Sequence, residues 1–186
     1  LTSKNTEITN IKKLISSNGS RYAIDNNEYL YAKGNYYTGM WGDTSSKNSY
    51  LKVTKDGTNY FDNVKDVFTS KFGYGAILTT KDNKIYWAGA SAAMSLPNIE
   101  GDIQTVGSGK VTKYSKEVSS TKIDEIKDKI ADIKFSFINL AGITGGNTII
   151  QTTNGKIYTY SLNNANMTGL GKTTTDFEEL KIKEGT

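Results

Sequence analysis

Four short hydrophobic quartets punctuate the chain. They are Ile11-Lys-Lys-Leu14, Val64-Lys-Asp-Val67, Ile130-Ala-Asp-Ile133 and Phe177-Glu-Glu-Leu180. After each of the first three comes a second apolar run, then a polar turn, then a run of aromatic and apolar strand formers. In the first copy these are Tyr22-Ala-Ile24, Asp25-Asn-Asn27 and Tyr29-Leu-Tyr-Ala32. In the second they are Ala76-Ile-Leu78, Lys81-Asp-Asn83 and Ile85-Tyr-Trp87, and in the third Thr148-Ile-Ile-Gln151, Thr153-Asn-Gly155 and Ile157-Tyr-Thr-Tyr160. Asn, Asp and Gly tolerate the left-handed backbone of tight turns, and β-branched and aromatic residues suit a half-buried pleated surface, so each copy predicts a β-hairpin. A smaller hairpin is predicted where Tyr50-Leu-Lys-Val53 returns through Lys55-Asp-Gly57 to Tyr60-Phe61.

The starts at Ile11, Val64 and Ile130 define units of roughly fifty to sixty-five residues, each with several short strands, which is the period of a β-propeller blade. The expected architecture is therefore an all-β single repeat domain over residues 1–186, with blades near 11–63, 64–129 and 130–176 and a further unit starting at 177–186. Two stretches interrupt the pattern. Residues 98–119 contain a Gly107-Ser-Gly109 break, and extra residues are inserted between Gly142 and Gly146. Ile123, Ile126, Ile130 and Ile133 follow helical spacing behind Ser120 or Thr121 as cap, which predicts a short helix over about 121–129; the repeat register places Ile130 and Ile133 in the sheet.

The glycine-rich tails identify the kind of blade. They read Leu30-Tyr-Ala-Lys-Gly34-Asn35 through Gly39-Met-Trp-Gly42, then Ile85-Tyr-Trp-Ala-Gly89, then Ile157-Tyr158 with Asn163 and Gly169-Leu-Gly171. With the turns Asp82-Asn83 and Asn154-Gly155, these resemble the repeat of the regulator-of-chromosome-condensation family. That pattern runs from an apolar strand through an Asp-Gly turn and a Val-Tyr-Ala-Trp-Gly strand to an Asn…Gly-x-Leu-Gly loop. Here the family's His is absent, Ser161 stands at a glycine position and Lys33 at the usual Trp. The resemblance covers nearly the whole chain and implies a propeller. Closed propellers have four to eight blades, and an open arc leaves exposed faces and edges. Self-association or flanking blades are expected to complete it.

Composition narrows the chemistry. Cys and His are both absent, which removes disulfides, thiolate chemistry and the commonest general base and metal ligand. Lys and Arg exceed Asp and Glu by 23 to 19, but they are spread along the chain, so no nucleic-acid footprint is expected. No run has the length of a membrane-spanning helix. The first residue is Leu1, which predicts a processed or excised piece, and the Asn-, Lys-, Thr- and Tyr-rich composition is compatible with a bacterial secreted or cell-surface protein.

No residues announce a reaction. Asp124-Glu125 and Glu178-Glu179 are paired acids of the kind glycosidases use, but they sit in lysine-rich, solvated stretches. Lys55-Asp-Gly57 and Lys81-Asp-Asn83 have too few oxygens for a calcium loop, and Ser108-Gly-Lys110 lacks the glycine spacing of a phosphate loop. No catalytic residue, metal ligand or cofactor is assigned. The candidate binding residues are Tyr36, Tyr37 and Trp41, joined by Tyr50 and Tyr60, because Tyr and Trp give large contact area at low entropic cost and stack on sugars. The alternative for these rings is packing between blades; Trp87, inside a strand, is assigned to the core. Two functions follow: a non-enzymatic protein-binding or scaffold module using inter-blade loops, or a carbohydrate-binding or glycoside-processing surface domain.

Overall fold

The computed structural model describes residues 8–35, 38–43, 45–71, 74–90, 96–97, 103–106, 109–140, 143–162 and 168–181. Each of the first three quartets opens a strand. The first sheet is a meander of β1 (Ile11–Ser16), β2 (Ser20–Asp25), β3 (Leu30–Gly34) and β4 (Lys47–Lys52). The second starts with β5 (Val64–Thr69), β6 (Gly75–Thr80) and β7 (Ile85–Gly89). A separate hairpin, β8 (Ile103–Val106) with β9 (Gly109–Thr112), intervenes before β10 (Lys116–Val118) completes that sheet beside β7. The third sheet contains β11 (Ile130–Leu140), β12 (Ile143–Thr152), β13 (Ile157–Leu162) and β14 (Glu178–Glu179). All pairings are antiparallel, so the described residues form three four-stranded blades plus a two-stranded hairpin.

The quartets pose a geometric puzzle that the structure resolves. Apolar residues three apart face opposite sides of a regular strand, because side chains alternate with period two. Each opening strand carries a register shift inside its quartet: between Ile11 and Lys13, between Val64 and Asp66, and between Ile130 and Asp132. A bulge adds one residue and returns both apolar ends to the same face. In the second and third sheets the residue just after the bulge is an aspartate whose own carboxylate accepts from the next N–H, Asp66 from Val67 at 2.7 Å and Asp132 from Ile133 at 2.9 Å. Lys13 occupies that place in the first sheet, and its ammonium reaches Asp66 at 2.6 Å.

The β2–β3, β6–β7 and β12–β13 turns share one design. The fourth turn residue is left-handed in each: Glu28 at φ 68°, Asn83 at 61° and Gly155 at 82°. A side-chain oxygen at the turn's first position closes it, with Asp25 Oδ1 accepting from Tyr29 N at 2.9 Å and Thr80 Oγ1 from Lys84 N at 3.0 Å.

The isoleucine stripe is divided between two elements. α1 (Thr121–Ile126) begins at Ser120, whose Oγ accepts from Ile123 N at 3.1 Å, and one 3-10 turn (Lys127–Lys129) follows. Ile123 and Ile126 are buried from the helix, Ile130 and Ile133 from β11. Asp176 secures the helix start from the third sheet, accepting from Ser120 Oγ at 2.6 Å and Lys122 N at 3.0 Å.

Phe177-Glu-Glu-Leu180 departs from the sequence expectation. Glu178 and Glu179 pair with Thr159 and Tyr158, so this quartet closes the third sheet instead of opening another. The free edge of β13 captures it: Leu180 N donates to Ile157 O at 2.8 Å, and the buried Phe177 ring packs 5.6 Å from Tyr160.

Burial separates into two seams. The first joins Tyr22, Ile24, Leu30 and Ala32 to Val67, Ala76, Leu78 and Ala88. The second joins Ile77, Ile85 and Trp87 to Ile133, Phe135, Ile150 and Tyr158, with α1 wedged alongside. Trp87 is fully buried, as a core residue should be.

Candidate functional site

The glycine-rich tail of the first blade folds against the second through hydrogen bonds rather than strand pairing. Thr112 Oγ1, at the end of β9, accepts from Gly89 N at 2.8 Å and donates to Gly39 O at 3.0 Å. Gly39 is left-handed at φ 63°, and a Cβ there would lie 2.5 Å from that same oxygen, so both conformation and space require glycine. Gly42 N continues the contact by donating to Lys113 O at 2.9 Å. The Tyr114 ring then occupies a slot between Gly42 and Gly57, where a Cβ on Gly57 would meet the phenol oxygen at 2.5 Å.

This arrangement leaves a concavity of about 220 Å³ at the seam of the first two sheets, lined by Met40, Trp41, Leu51, Val53, Thr54 and Tyr114. Trp41 is half-buried and packs against the first core cluster. Its indole N–H donates to Ser45 O at 3.0 Å, while Asp43 accepts from Ser45 N at 2.9 Å and from Lys47 Nζ at 2.6 Å, so a small polar turn holds the ring. Leu51 is 37% exposed. The lining is mixed, with Met40, Leu51 and Val53 apolar and Lys52, Thr54 and Tyr114 bringing polar atoms.

The other predicted rings lie elsewhere. Tyr50 lines a groove of about 320 Å³ on the outward face of the first sheet, with Ile8, Ile11, Leu14, Ala23 and Lys33; the Lys33 ammonium sits 4.9 Å from its ring centre. Tyr60, 48% exposed, lines a third concavity of about 450 Å³ with Tyr29, Lys55, Asp56, Asn59 and Asp62. Lys52 Nζ lies between two of these rings, 3.1 Å from the centre of Tyr29 and 4.9 Å from that of Tyr60. Tyr36 and Tyr37 lie outside the described residues. Trp41, Tyr50 and Tyr60 thus belong to three separate concavities, not one aromatic platform. Sequence reasoning missed Tyr114, Met40 and Leu51. The glycines at 42 and 57 were the local signal, since they admit the close approach that Tyr114 needs.

Electrostatics assign the charged candidates to the surface. Asp124 bonds Lys127 at 2.8 Å and Glu179 bonds Lys156 at 2.9 Å; the lysine hydrogen bond holds each carboxyl below its ordinary value, opposite to what a general acid requires. Glu125 pairs with Lys122, and Glu178 with Lys172 at 2.8 Å. Asp56 is pushed down to about 2 by hydrogen bonds from the Asn59 backbone and side chain and from Thr58 N. It thereby closes the loop beneath Tyr60. Burial pushes the Tyr86 phenol up to about 12, with the Glu117 charge adding to it. Among the described residues no group of three metal-ligating side chains converges, and no helix is long and apolar enough to cross a membrane.

No protein-family model matches the chain, and no curated protein matches it by sequence. Solved structures do. Human WBSCR16 is 11% identical, with a TM-score of 0.61 over 92% of this chain and 38% of that one. Yeast RCC1 (Prp20), crystallised bound to Kap60, is 12% identical with a TM-score of 0.62, covering 93% of this chain and 37% of its own. The structure of Prp20p from Saccharomyces cerevisiae, described with its binding properties to Gsp1p and histones, gives 13% identity, a TM-score of 0.62, and coverage of 93% and 39%. The chain therefore has an RCC1-like β-propeller fold and spans under two fifths of the length of these relatives.

Proposed function

We propose that this three-blade unit is a non-enzymatic protein-binding module that takes an apolar side chain of its partner into the seam between the first two blades. The observation that carries this is the Trp41–Tyr114 concavity, a hollow in which Leu51 and two aromatic rings offer apolar contact, the rings held in place by Ser45, Gly42 and Gly57. Preorganised aromatic anchors in a partly desolvated pocket are the usual centres of protein recognition. Related folds support the class, since yeast Prp20 is described with Kap60, Gsp1p and histones as partners. An extracellular or cell-surface location belongs to the same proposal, and antibody labelling of intact cells tests it.

Panning a displayed peptide library against the chain tests the binding reading. Enriched peptides should carry aromatic or large aliphatic residues and lose at least tenfold in affinity on Leu51→Asp, a change at a half-exposed position that leaves the core intact. Enrichment indifferent to Leu51→Asp, or none, would sink the proposal. A second reading rests on Tyr60: an exposed ring beside Asp56, Asn59 and Asp62 has the chemistry of a sugar platform. Glycan-array binding abolished by Tyr60→Ala and untouched by Leu51→Asp would favour a carbohydrate-binding domain instead.

A further inference from the structure

The turns that join the inner strands of the three blades place Asn27, Asp82 and Asn154 at the same position. The second and third turns match bond for bond. Asn83 N donates to Thr80 O and Gly155 N to Thr152 O, each at 3.0 Å, while Thr80 N and Thr152 N donate to Lys84 O and Lys156 O at 3.0 and 2.9 Å. Asp82 and Asn154 are thus an acid and an amide in one backbone setting.

What differs is the residue that follows. Asn27 precedes Glu28, whose carboxylate pairs with Lys81, whereas Asn154 precedes Gly155. Asparagine is chemically labile, and a glycine after it leaves the next backbone nitrogen unshielded. Gly155 is left-handed at φ 82°, and a Cβ built on it would meet nothing within 4 Å. Thr153, Asn154, Gly155 and Lys156 are all exposed, so the turn opens locally, freeing Gly155 N from Thr152 O, without disturbing the core. Thr152 is buried beneath them. Its Oγ1 lies 2.6 Å from Asn154 Oδ1, the atom on which negative charge gathers when a nucleophile attacks the amide carbon.

We propose that Asn154 is a site of spontaneous deamidation, assisted by the Thr152 hydroxyl, with the chain itself as nucleophile and water as the only co-reactant. Gly155 N gives its proton to solvent and attacks Asn154 Cγ. The N–Cγ bond forms, the Cγ–Nδ2 bond breaks, and Nδ2 takes a proton from water and leaves as ammonia. Water then opens the cyclic imide. Its addition at Cγ restores the backbone and leaves aspartate; its addition at the backbone carbonyl leaves isoaspartate, with the chain running through Cγ. One water is consumed and one ammonia released, with no change of oxidation state.

The two products differ in fit. The second blade shows that an aspartate suits this turn, since Asp82 accepts from Asn63 Nδ2 at 2.8 Å and the Thr80 hydroxyl holds its carboxyl below the ordinary value. Isoaspartate adds a carbon to the backbone and so misaligns Gly155 N with Thr152 O. The distortion reaches Lys156, whose ammonium holds Glu179 of β14 at 2.9 Å. The chain's other Asn-Gly pair, Asn18-Gly19, is held more firmly. Asn18 N donates to Lys71 O at 3.3 Å, Gly19 O accepts from Asn35 N at 2.9 Å, and the Asn35 amide fills the space a Cβ on Gly19 would take.

Peptide mapping of the folded chain after ageing at neutral pH tests this. Asn154 should convert at least tenfold faster than Asn18 or Asn27, with aspartate and isoaspartate both recovered at position 154 and one negative charge gained on ion exchange. In urea Asn18 should rise to the rate of Asn154, because only the fold separates the two Asn-Gly pairs. Gly155→Ala should slow Asn154 in urea as well as in the folded chain. Thr152→Val should slow it severalfold in the folded chain only, and an unchanged rate there overturns the part given to the hydroxyl. Asn154 intact when Asn18 has converted, equal folded rates at the two sites, or an Asn18 that still lags in urea each overturns the proposal.

Discussion

The two seams between blades use the same backbone repeat and fill it differently. At the first, the core includes the small side chains Ala32, Ala76 and Ala88, together with Met40 and Phe61 from loops, the Phe61 ring meeting Tyr86 edge-on at 5.1 Å. At the second, the counterpart of Ala32 is Trp87, which packs edge-on to Phe135 at 5.5 Å, and α1 adds Ile123 and Ile126. Room for the indole comes from Gly75, beside which it lies. The two seams are thus filled by different residues, large rings at one position standing against small side chains at its counterpart, as close-packed cores allow.

The sharpest way to break this comparison is Trp87→Ala. Emptying the second seam should cost about 3–5 kcal/mol, a large part of the roughly 5–15 kcal/mol that holds a domain together, and urea denaturation would read it. A loss below about 1 kcal/mol would show that the seam does not depend on the ring. Gly75→Ala comes next. Its new methyl would lie 2.5 Å from Cη2 of Trp87 and should cost about 1–3 kcal/mol. Combined with Trp87→Phe it should cost less than the two changes added, because the smaller ring vacates the space; strict additivity would mean that the two residues do not compete. Ser120→Ala removes the cap of α1, the helix beside the second seam. It should lower stability by about 1 kcal/mol, read by thermal melting.

The smallest effect belongs to the loop beside the first seam. Because the folded Asp56 carboxyl sits near 2, below its ordinary 3.8, its contribution is complete above the ordinary value and is lost as pH falls through about 2. Tyr60 resonances should therefore shift between about pH 4 and pH 2, and Asp56→Asn should abolish that shift. A shift that survives the substitution assigns it to another group.

Much of the fold was legible in the quartets and turns because these act locally. Asp25, Thr80 and Thr152 close their turns within five residues, and Ser120 caps the helix three residues ahead. The β8–β9 hairpin was not legible, since Gln104, Thr105 and Lys110 give no apolar alternation. The fate of Phe177-Glu-Glu-Leu180 was hidden for another reason: whether such a quartet opens or closes a sheet depends on which strand edge is free. The candidate site was the least readable. Tyr114 enters it through Gly42 and Gly57, which are 72 and 57 positions away along the chain, and Trp41, Tyr50 and Tyr60 share a composition without sharing a surface.

β6 and β7 are buried at every position, which no other described pair of strands matches. Their blade is covered on both sides, so water reaches their amides only after a neighbouring blade has come away. Exchange with deuterium should therefore be slowest at Ile77 and Leu78 and should quicken towards β1 and β14, making the middle of the chain the last part to open and the outer sheets the ones that fray.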